Sequence, residues 1–291
     1  MMQENRTVNK ITQITKRGLK KGFRISNKLF KSVRGGNSSS STTENTSMKN
    51  TVTTSNITHL AMGWTTPQRE QIVELALQYA GASHIYGNYV EFGVWRGDTF
   101  ASAFHFSEYM NKQFPKFKEM NFYALDSFEG FPELKGDDNF PQFKEGGRAY
   151  SLEAFNENMK EKGVDMNRVK SAKGWFSDTL VKGGKVDNDI KEDSISLAYI
   201  DCDLYESTAD VMKFIGPKMM SGGLMMFDDW YCFAGDPAKG QQRAIREFLK
   251  ANPTYALAPF REFHWHGNSF IFHKYDDEKT VEELRKNNLV L

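Results

Sequence analysis

Four aspartates in two short motifs are the side chains of this sequence whose types and spacing point most directly to chemistry. Asp201 and Asp203 follow one apolar run, and Asp228 and Asp229 follow another. If the two runs form neighbouring parallel strands, their carboxyl ends lie at the same edge of a sheet and bring the four carboxylates together. Like charges at such short range repel each other unless a proton or a cation neutralises them. An all-oxygen cluster of this kind suits Mg²⁺, Ca²⁺ or Mn²⁺, and the alternative is that each aspartate caps its own loop.

A glycine-bearing turn after an earlier apolar run is a second candidate site. Gly93 and Gly97 permit a tight turn and a close approach of a ligand to the backbone, and Glu91 places a carboxylate where a ribose or an amino group could bind. Asp126 ends the next apolar run, 35 residues after Glu91, and could accept hydrogen bonds from ribose hydroxyls. The turn departs from the GxGxxG pattern, which disfavours a nicotinamide cofactor. An ordinary turn at Gly93 and a helix N-cap at Asp126 are the structural alternatives.

Alternating strand and helix patterns predict the elements that position these residues. Apolar runs predict five strands, at Tyr89–Phe92, at Phe122–Leu125, around Val169, at Ile195–Ile200 and at Leu224–Phe227. Helical spacing predicts helices that begin at Thr66-Pro67, run from Ala101 to Met110, begin near Tyr205 and run from Gln241 to Lys250. An alternating pair predicts an antiparallel hairpin, formed by Tyr255–Trp265 and Ser269–His273 with His266-Gly267-Asn268 between them. Strands that alternate with helices predict an α/β fold, in which a parallel sheet lies between two helical layers.

Five motifs between about Thr66 and Lys250 together resemble the macrocin O-methyltransferase family. They are Val90-Glu-Phe-Gly-Val-Trp-Arg-Gly97, Asp126-Ser-Phe-Glu-Gly-Phe-Pro132, Gly174-Trp-Phe-Ser-Asp-Thr-Leu180, Asp201-Cys-Asp-Leu-Tyr-Glu-Ser-Thr208 and Gly222-Gly-Leu-Met-Met-Phe-Asp-Asp229. Members of this family are enzymes that depend on S-adenosylmethionine and Mg²⁺ and methylate sugar hydroxyls. The resemblance implies an α/β, Rossmann-like class I methyltransferase fold with a seven-stranded, mostly parallel sheet and a C-terminal antiparallel hairpin.

The resemblance also implies a role for each candidate residue. The implied S-adenosylmethionine-binding residues are Glu91, Gly93, Val94, Trp95, Asp126, Ser127, Gly174 and Trp175. Asp201, Asp228 and Asp229 are the implied metal ligands, and Asp203 is the implied general base. The implied acceptor is a hydroxyl of a sugar or of a glycosylated metabolite.

Other interpretations stay open for the same residues. An Asp-x-Asp motif after a strand can hold a metal on a diphosphate, so a nucleotide-sugar glycosyltransferase is the alternative enzyme, and a methyltransferase-fold binding protein without catalysis is a third hypothesis. The turn at Glu91 favours methyl transfer. His105, His264 and His266 could assist as bases, although structural roles are more typical of histidines in an alternating strand. Residues 133–148 are interpreted either as a mobile lid or as a surface insertion.

The net charge of +1 conceals two oppositely charged parts. Residues 1–36 carry ten basic side chains and one acidic one, a net charge of +9, and the rest of the chain carries −8. In residues 37–58, 17 of 22 positions are Ser, Thr or Asn, which is typical of a flexible linker. The predicted organisation is therefore a basic arm at 1–36, a linker at 37–59 and a methyltransferase domain at 60–291. The arm is interpreted as a solvated segment, as a peripheral contact with anionic membrane or as an organelle transit peptide.

The overall composition excludes several classes of protein. With 26% charged and 39% hydrophobic residues, the chain is neither wholly disordered nor collagen-like, and no apolar run approaches the ~18 residues that cross a bilayer. The even overall charge disfavours a nucleic-acid partner. Cys202 and Cys232 are too few and too far apart for a zinc CxxC pair or a disulfide framework, which fits a reducing, cytoplasmic setting. A homo-oligomer stays open.

Overall fold

A seven-stranded sheet organises residues 68–291, the part of the chain that the computed structural model describes. Its strands are β1 (Asn88–Phe92), β2 (Phe122–Asp126), β3 (Val169–Lys173), β4 (Ile195–Ile200), β5 (Met219–Phe227), β6 (Tyr255–Phe263) and β7 (Gly267–Lys274). They lie in the order β3-β2-β1-β4-β5-β7-β6. Strands β1 to β5 are parallel, and β7 is antiparallel to both β5 and β6. The prediction of a mostly parallel sheet with an antiparallel C-terminal hairpin is confirmed.

Three predictions fall on residues outside the described range. They are the basic arm at 1–36, the linker at 37–59 and the helix start at Thr66-Pro67.

Eight α-helices are described along the chain. They are α1 (Arg69–Ala82), α2 (Asp98–Met110), α3 (Leu152–Glu161), α4 (Phe176–Thr179), α5 (Lys185–Asp189), α6 (Tyr205–Ile215), α7 (Gly240–Ala251) and α8 (Glu278–Lys286). Short 3₁₀ turns occur at Pro115–Glu119, Gly136–Asp138, Met166–Arg168 and Phe233–Gly235. Helices α2, α6 and α7 confirm the predicted helical stretches. None of the described helices is both long and apolar enough to cross a membrane.

The apolar core forms one layer on each face of the sheet. Side chains alternate along β1, so Tyr89 packs in the layer with α1, α2 and α3, while Val90 and Phe92 pack in the layer with α6 and α7. Strand β4 is central in the sheet and all six of its residues are buried. The carboxyl ends of β1, β4 and β5 are therefore held in place by both layers.

Strand β5 begins at Met219, five residues before the predicted start at Leu224. Gly222 and Gly223 interrupt the apolar pattern there, and the pairing of β4 with β5 shifts register at the same level. The predicted start of β5 was wrong because the strand continues through the two glycines, at a point where its pairing with β4 is irregular.

The hairpin turn also lies elsewhere than predicted. It consists of residues 264–266, so His264 and His266 belong to the turn and Gly267 begins β7. Gly267 pairs with Phe263, and a Cβ atom on it would lie 2.5 Å from the Phe263 ring. Gly267 therefore makes room for an aromatic ring inside the strand pair, although its residue type suggested a turn.

A close backbone contact joins the carboxyl ends of β1 and β4. The Asp201 amide donates to the Phe92 carbonyl at 2.8 Å, and the Gly93 amide donates to the Leu125 carbonyl at 2.8 Å. Gly93 has a φ of +84°, and a Cβ atom on it would lie 1.8 Å from the Asp201 carbonyl oxygen. Only glycine fits between the two strand ends, so this residue determines how closely the β1 turn approaches Asp201.

Replacing Gly93 by alanine tests this contact. We expect Gly93→Ala to lower the free energy of unfolding by about 3 kcal/mol or more, because a backbone carbonyl must move in addition to the strain at positive φ. Gly183→Ala is the matched control, since Gly183 has a φ of +77° with no atom within 4 Å of the added Cβ. The control should lose only about 1 to 2 kcal/mol. Denaturant unfolding measures both, and equal losses in the two variants would contradict the steric explanation.

Candidate active site

Three of the four predicted aspartates form a compact group at the carboxyl edge of the sheet. Asp201, Asp203 and Asp229 each place one carboxylate oxygen within 4.8 Å of the others, which meets the spacing needed to hold a cation. The register of β4 and β5, in which Ile200 pairs with Phe227, brings the two motifs level with each other. The loops that follow the two strands thus supply an all-oxygen donor set.

Asp228 lies outside this three-carboxylate group. Its Oδ1 accepts a hydrogen bond from the Tyr199 hydroxyl at 2.6 Å, and its Oδ2 pairs with the Arg69 guanidinium. The side chain of Asp228 is fully buried, whereas that of Arg69 is 34% exposed. Neighbouring residues at a strand end point in opposite directions, so Asp228 and Asp229 meet different partners.

Asp203 is held by a second arginine. Both of its carboxylate oxygens accept from the Arg148 Nη1, at 3.1 and 3.2 Å, and its amide donates to the Asp229 Oδ2 at 2.9 Å. Asp203 therefore connects the three-carboxylate group to the segment 133–148.

Burial raises the pKa of every carboxylate in the group. Desolvation is the largest cause for Asp201 and Asp229, whose pKa values rise well above the usual range, and the neighbouring aspartates raise them further. Desolvation raises the pKa of Asp203 to about 6, although Arg148 opposes the shift. Burial would lower the pKa of Arg69, but Asp201 and Asp228 raise it overall. The four aspartates thus carry more negative charge than the two arginines balance. A bound proton or cation is needed to neutralise the remaining charge.

Neither arginine was among the predicted site residues. Arg69 lies 159 residues from Asp228 in the chain, and no motif surrounds it. Arg148 ends the charged, glycine-bearing insertion at 133–148. That insertion was the only sequence feature that could have pointed to Arg148 as a site residue.

A cavity of about 530 Å³ adjoins the carboxylates. Six of the predicted cofactor-binding residues line it, namely Gly93, Trp95, Asp126, Ser127, Gly174 and Trp175. Asp201, Asp203, Arg69 and Arg148 line it too. Glu91 and Val94 are buried beneath it and are absent from the described lining.

Asp126 ties together the turns that follow β1 and β2. Its Oδ2 accepts from the amides of Val94 and Trp95 at 2.8 and 3.0 Å, and its Oδ1 accepts from the Phe128 amide at 2.7 Å. No described helix begins at Asp126, so the N-cap alternative is wrong. The Ser127 hydroxyl lies 3.4 Å from Oδ1, but its single proton is better placed on the Gly130 carbonyl at 2.9 Å. Of about four lone-pair sites on the carboxylate, one therefore stays available for a ribose hydroxyl.

Glu91 is a buried acid that accepts a hydrogen bond from the Tyr89 hydroxyl. Desolvation raises its pKa to about 8, and the Tyr89 hydrogen bond opposes that shift. The raised pKa favours the protonated form of Glu91 in the folded protein at neutral pH.

The insertion at 133–148 packs against the loops of the site. Asp138 accepts from the amides of Tyr205 and Glu206, at 2.8 and 3.3 Å, and so caps the helix that follows Asp203. Phe143 packs in a small apolar cluster with Phe233. The insertion forms a wall of the cavity, and its opening as a lid stays a prediction.

The three histidines that were considered as bases are not among the described residues that line the cavity. His105 contacts the Lys162 carbonyl at 2.8 Å through Nε2 and does not line the cavity. His266 is buried, and its Nδ1 contacts the Asp228 carbonyl. His264 lies next to it, with 4.6 Å between the ring centroids.

The fold is that of the class I methyltransferases. The structure is similar to that of the O-methyltransferase NovP, with a TM-score of 0.54 and 22% sequence identity, over 71% of this chain and 80% of that one. It is also similar to the calicheamicin methyltransferase CalS11, with a TM-score of 0.53 and 21% identity, over 83% of this chain and 100% of that one. The expected fold class is confirmed.

The chain belongs to the macrocin-O-methyltransferase (TylF) family, whose sequence model matches residues 3–267. This match extends beyond both ends of the motif-bearing span, Thr66 to Lys250. It includes most of the predicted arm and all of the predicted linker.

Characterised relatives support the same family. One is the 8-demethyl-8-(2,3-dimethoxy-alpha-L-rhamnosyl)-tetracenomycin-C 4'-O-methyltransferase of Streptomyces olivaceus, 30% identical over 155 residues, or 51% of this chain and 55% of the relative. Another is the mycinamicin III 3''-O-methyltransferase of Micromonospora griseorubida, 29% identical over 154 residues, or 50% of this chain and 56% of the relative. The chain spans about half the length of the curated relatives it matches.

The raised pKa of Glu91 predicts a specific pH dependence of stability. Between the ordinary value of 4.5 and the folded-state value of about 8, the folded protein holds a proton that the unfolded chain has lost. The contribution of Glu91 to the free energy of unfolding is therefore fully present below pH 4.5, and it is lost as the pH rises through about 8. Glu91→Gln keeps an acceptor for Tyr89 and cannot ionise. Its melting temperature should rise relative to the native protein as the pH increases over this range.

Thermal unfolding as a function of pH checks this prediction in the ligand-free protein. Glu119→Gln, at an exposed position, is the matched control and should show a constant difference from the native protein. A constant difference for Glu91→Gln as well would show that Glu91 does not hold its proton in the fold.

Proposed function

We propose that this protein is an S-adenosylmethionine-dependent, divalent-cation-dependent O-methyltransferase that acts on a hydroxyl of a sugar or of a glycosylated metabolite. The observation that carries the proposal is the group of Asp201, Asp203 and Asp229, of which Asp201 and Asp203 line the same cavity as the Gly93 turn. Membership of the macrocin-O-methyltransferase family and the names of the relatives, which methylate glycosylated compounds, support the substrate class. The family gives no support to the glycosyltransferase alternative.

The cavity fits S-adenosylmethionine in size and in lining. Its volume of about 530 Å³ lies within the range of small-molecule sites. Trp95 and Trp175 offer aromatic surface, the Gly93 turn permits close approach to the backbone, and Asp126 retains acceptor capacity. We propose that Glu91 and Val94 act from beneath, by supporting the turn that carries Gly93 and Trp95.

The donor set fits a hard divalent cation such as Mg²⁺, because buried carboxylates in excess of their arginine partners favour a small, highly charged ion. We propose Asp201, Asp228 and Asp229 as its ligands. Of the charges around Asp201, that of Asp228 raises its pKa the most, which supports their proximity. Arg69 now balances the charge of Asp228, and a bound cation would take over part of that role.

When bound, S-adenosylmethionine would supply an electrophilic methyl group and the cation a Lewis acid for the acceptor hydroxyl. Asp203 is proposed to accept the hydroxyl proton, since a pKa of about 6 leaves it ionised at neutral pH and it lines the cavity. Arg148 holds the Asp203 carboxylate in place through Nη1. Residues of the segment 133–148 line the cavity beside Asp203, and exclusion of water there would strengthen these electrostatic interactions.

Methyl transfer to glycosides tests the proposed activity. We expect mass gain of one methyl group on at least one member of a panel of free sugars and glycosides, with S-adenosylmethionine as donor. Activity should disappear with a chelator and return with Mg²⁺.

Two variants test the carboxylates directly. Asp201→Asn and Asp229→Asn should each raise the activation barrier by several kcal/mol, which lowers turnover about 100-fold or more, while cofactor binding persists. Asp276→Asn, at an exposed position, is the control with native turnover. Selective binding of a nucleotide sugar in place of S-adenosylmethionine would overturn the proposal.

A comparison of Asp203→Asn with Asp228→Asn tests the division of roles. If Asp203 accepts the proton, its variant should bind Mn²⁺ normally and lose about 10²- to 10⁴-fold in turnover. Asp228→Asn should instead weaken Mn²⁺ binding. Loss of Mn²⁺ binding in Asp203→Asn alone would assign the third ligand to Asp203, as the spacing of the three-carboxylate group also permits.

A further inference from the structure

A second group of metal-ligating side chains lies beside the carboxylates. Asp229, Cys232 and His266 are all buried, and each places one ligand atom within 4.8 Å of the others. Together they offer a carboxylate oxygen, a thiol sulfur and an imidazole nitrogen. Borderline cations such as Zn²⁺ and Co²⁺ bind such mixed donor sets, whereas Mg²⁺ prefers oxygen alone.

The turn after β5 brings Cys232 back over Asp229. The Cys232 amide donates to the Asp229 carbonyl at 3.1 Å, and the Cys232 sulfur lies 3.6 Å from the Asp229 Oδ1. The other oxygen, Oδ2, accepts from the Asp203 amide. Asp229 therefore turns one oxygen towards the thiol and the other towards the three-carboxylate group.

His266 is held in place by a hydrogen bond to a backbone carbonyl. Its Nδ1 contacts the Asp228 carbonyl, which can only accept, so Nδ1 carries the proton and Nε2 keeps its lone pair. Ligating histidines are commonly fixed by such a hydrogen bond from the other ring nitrogen to a carbonyl.

A nearby polar atom lacks a hydrogen-bond partner. The Nδ1 of His264 is buried and makes no hydrogen bond within the described part of the chain. The His264 ring stacks edge-on against His266 at 4.6 Å. The unsatisfied nitrogen therefore belongs to a residue that packs directly against His266, and such a buried polar atom calls for a partner.

We propose that Asp229, Cys232 and His266 form a binding site for a thiophilic divalent cation of the Zn²⁺ class. Binding forms a metal–thiolate bond, and the thiol proton passes to the solvent buffer. The site goes beyond the proposed methyl transfer and does not depend on it. Because both sites use Asp229, occupation of one changes the ligands available to the other.

Titration of the chelator-treated, full-length protein with Co²⁺ tests the site without cofactor or acceptor. A Co²⁺ ion bound to a thiolate gives a near-ultraviolet charge-transfer band, which an ion held by oxygen ligands lacks. We expect this band in the native protein, and we expect Zn²⁺ to abolish it by displacement. Absence of the band at saturating Co²⁺ would overturn the proposal without any variant, and it would leave the proposed methyl transfer untouched.

Matched variants assign the band to its ligands. Cys232→Ser should abolish it and His266→Gln should weaken Co²⁺ binding by at least about tenfold. Cys202→Ser is the control, because the Cys202 sulfur contacts the Thr208 hydroxyl at 3.5 Å and is not part of the group. Asp201→Asn should also keep the band. A band that persists in Cys232→Ser, or that disappears in Cys202→Ser, would overturn the assignment.

Discussion

The burial of several carboxylates at one edge of the sheet is the constraint on which the rest of the site depends. Asp203, Asp228 and Asp229 are each less than 5% exposed. Charges in such surroundings are costly unless they are paired, and removal of one partner leaves the other uncompensated. Arg69 from helix α1 and Arg148 from the segment 133–148 supply part of the compensation. A divalent cation would supply the remaining positive charge. The same buried carboxylates therefore account for both the unbalanced charge of the site and its proposed chemistry.

The sheet keeps these groups close because its central strands cannot shift independently. Strands β1, β4 and β5 pair in parallel and are packed on both faces. At their carboxyl ends, Gly93 lets the β1 turn reach Asp201, and Asp126 binds that turn to the one after β2. The cavity therefore lies between segments whose backbones are fixed by hydrogen bonds, which is how a site can be organised before its ligand arrives.

Features with a local cause could be predicted from the sequence. The apolar runs predicted the parallel strands and the hairpin, and the strand ends predicted the meeting of Asp201 with Asp229. The predicted start of β5 and the predicted hairpin turn were wrong because of two glycines. Gly222 lies where the pairing of β4 with β5 shifts register, and Gly267 makes room for the Phe263 ring inside the hairpin. The pairing of Arg69 with Asp228 had no signal, since it joins helix α1 to a strand end 159 residues away. The position of Cys232 over Asp229 likewise depends on the path of a turn, which composition and periodicity do not encode.

An anomalous difference map from crystals of the full-length protein soaked in Mn²⁺ would test the central claim most directly. We predict one strong peak within coordination distance of carboxylate oxygens of Asp201 and Asp229, with the third protein ligand visible in the same map. A map without a peak at these carboxylates, at a Mn²⁺ concentration that supports turnover, would contradict the cation-dependent account of this site.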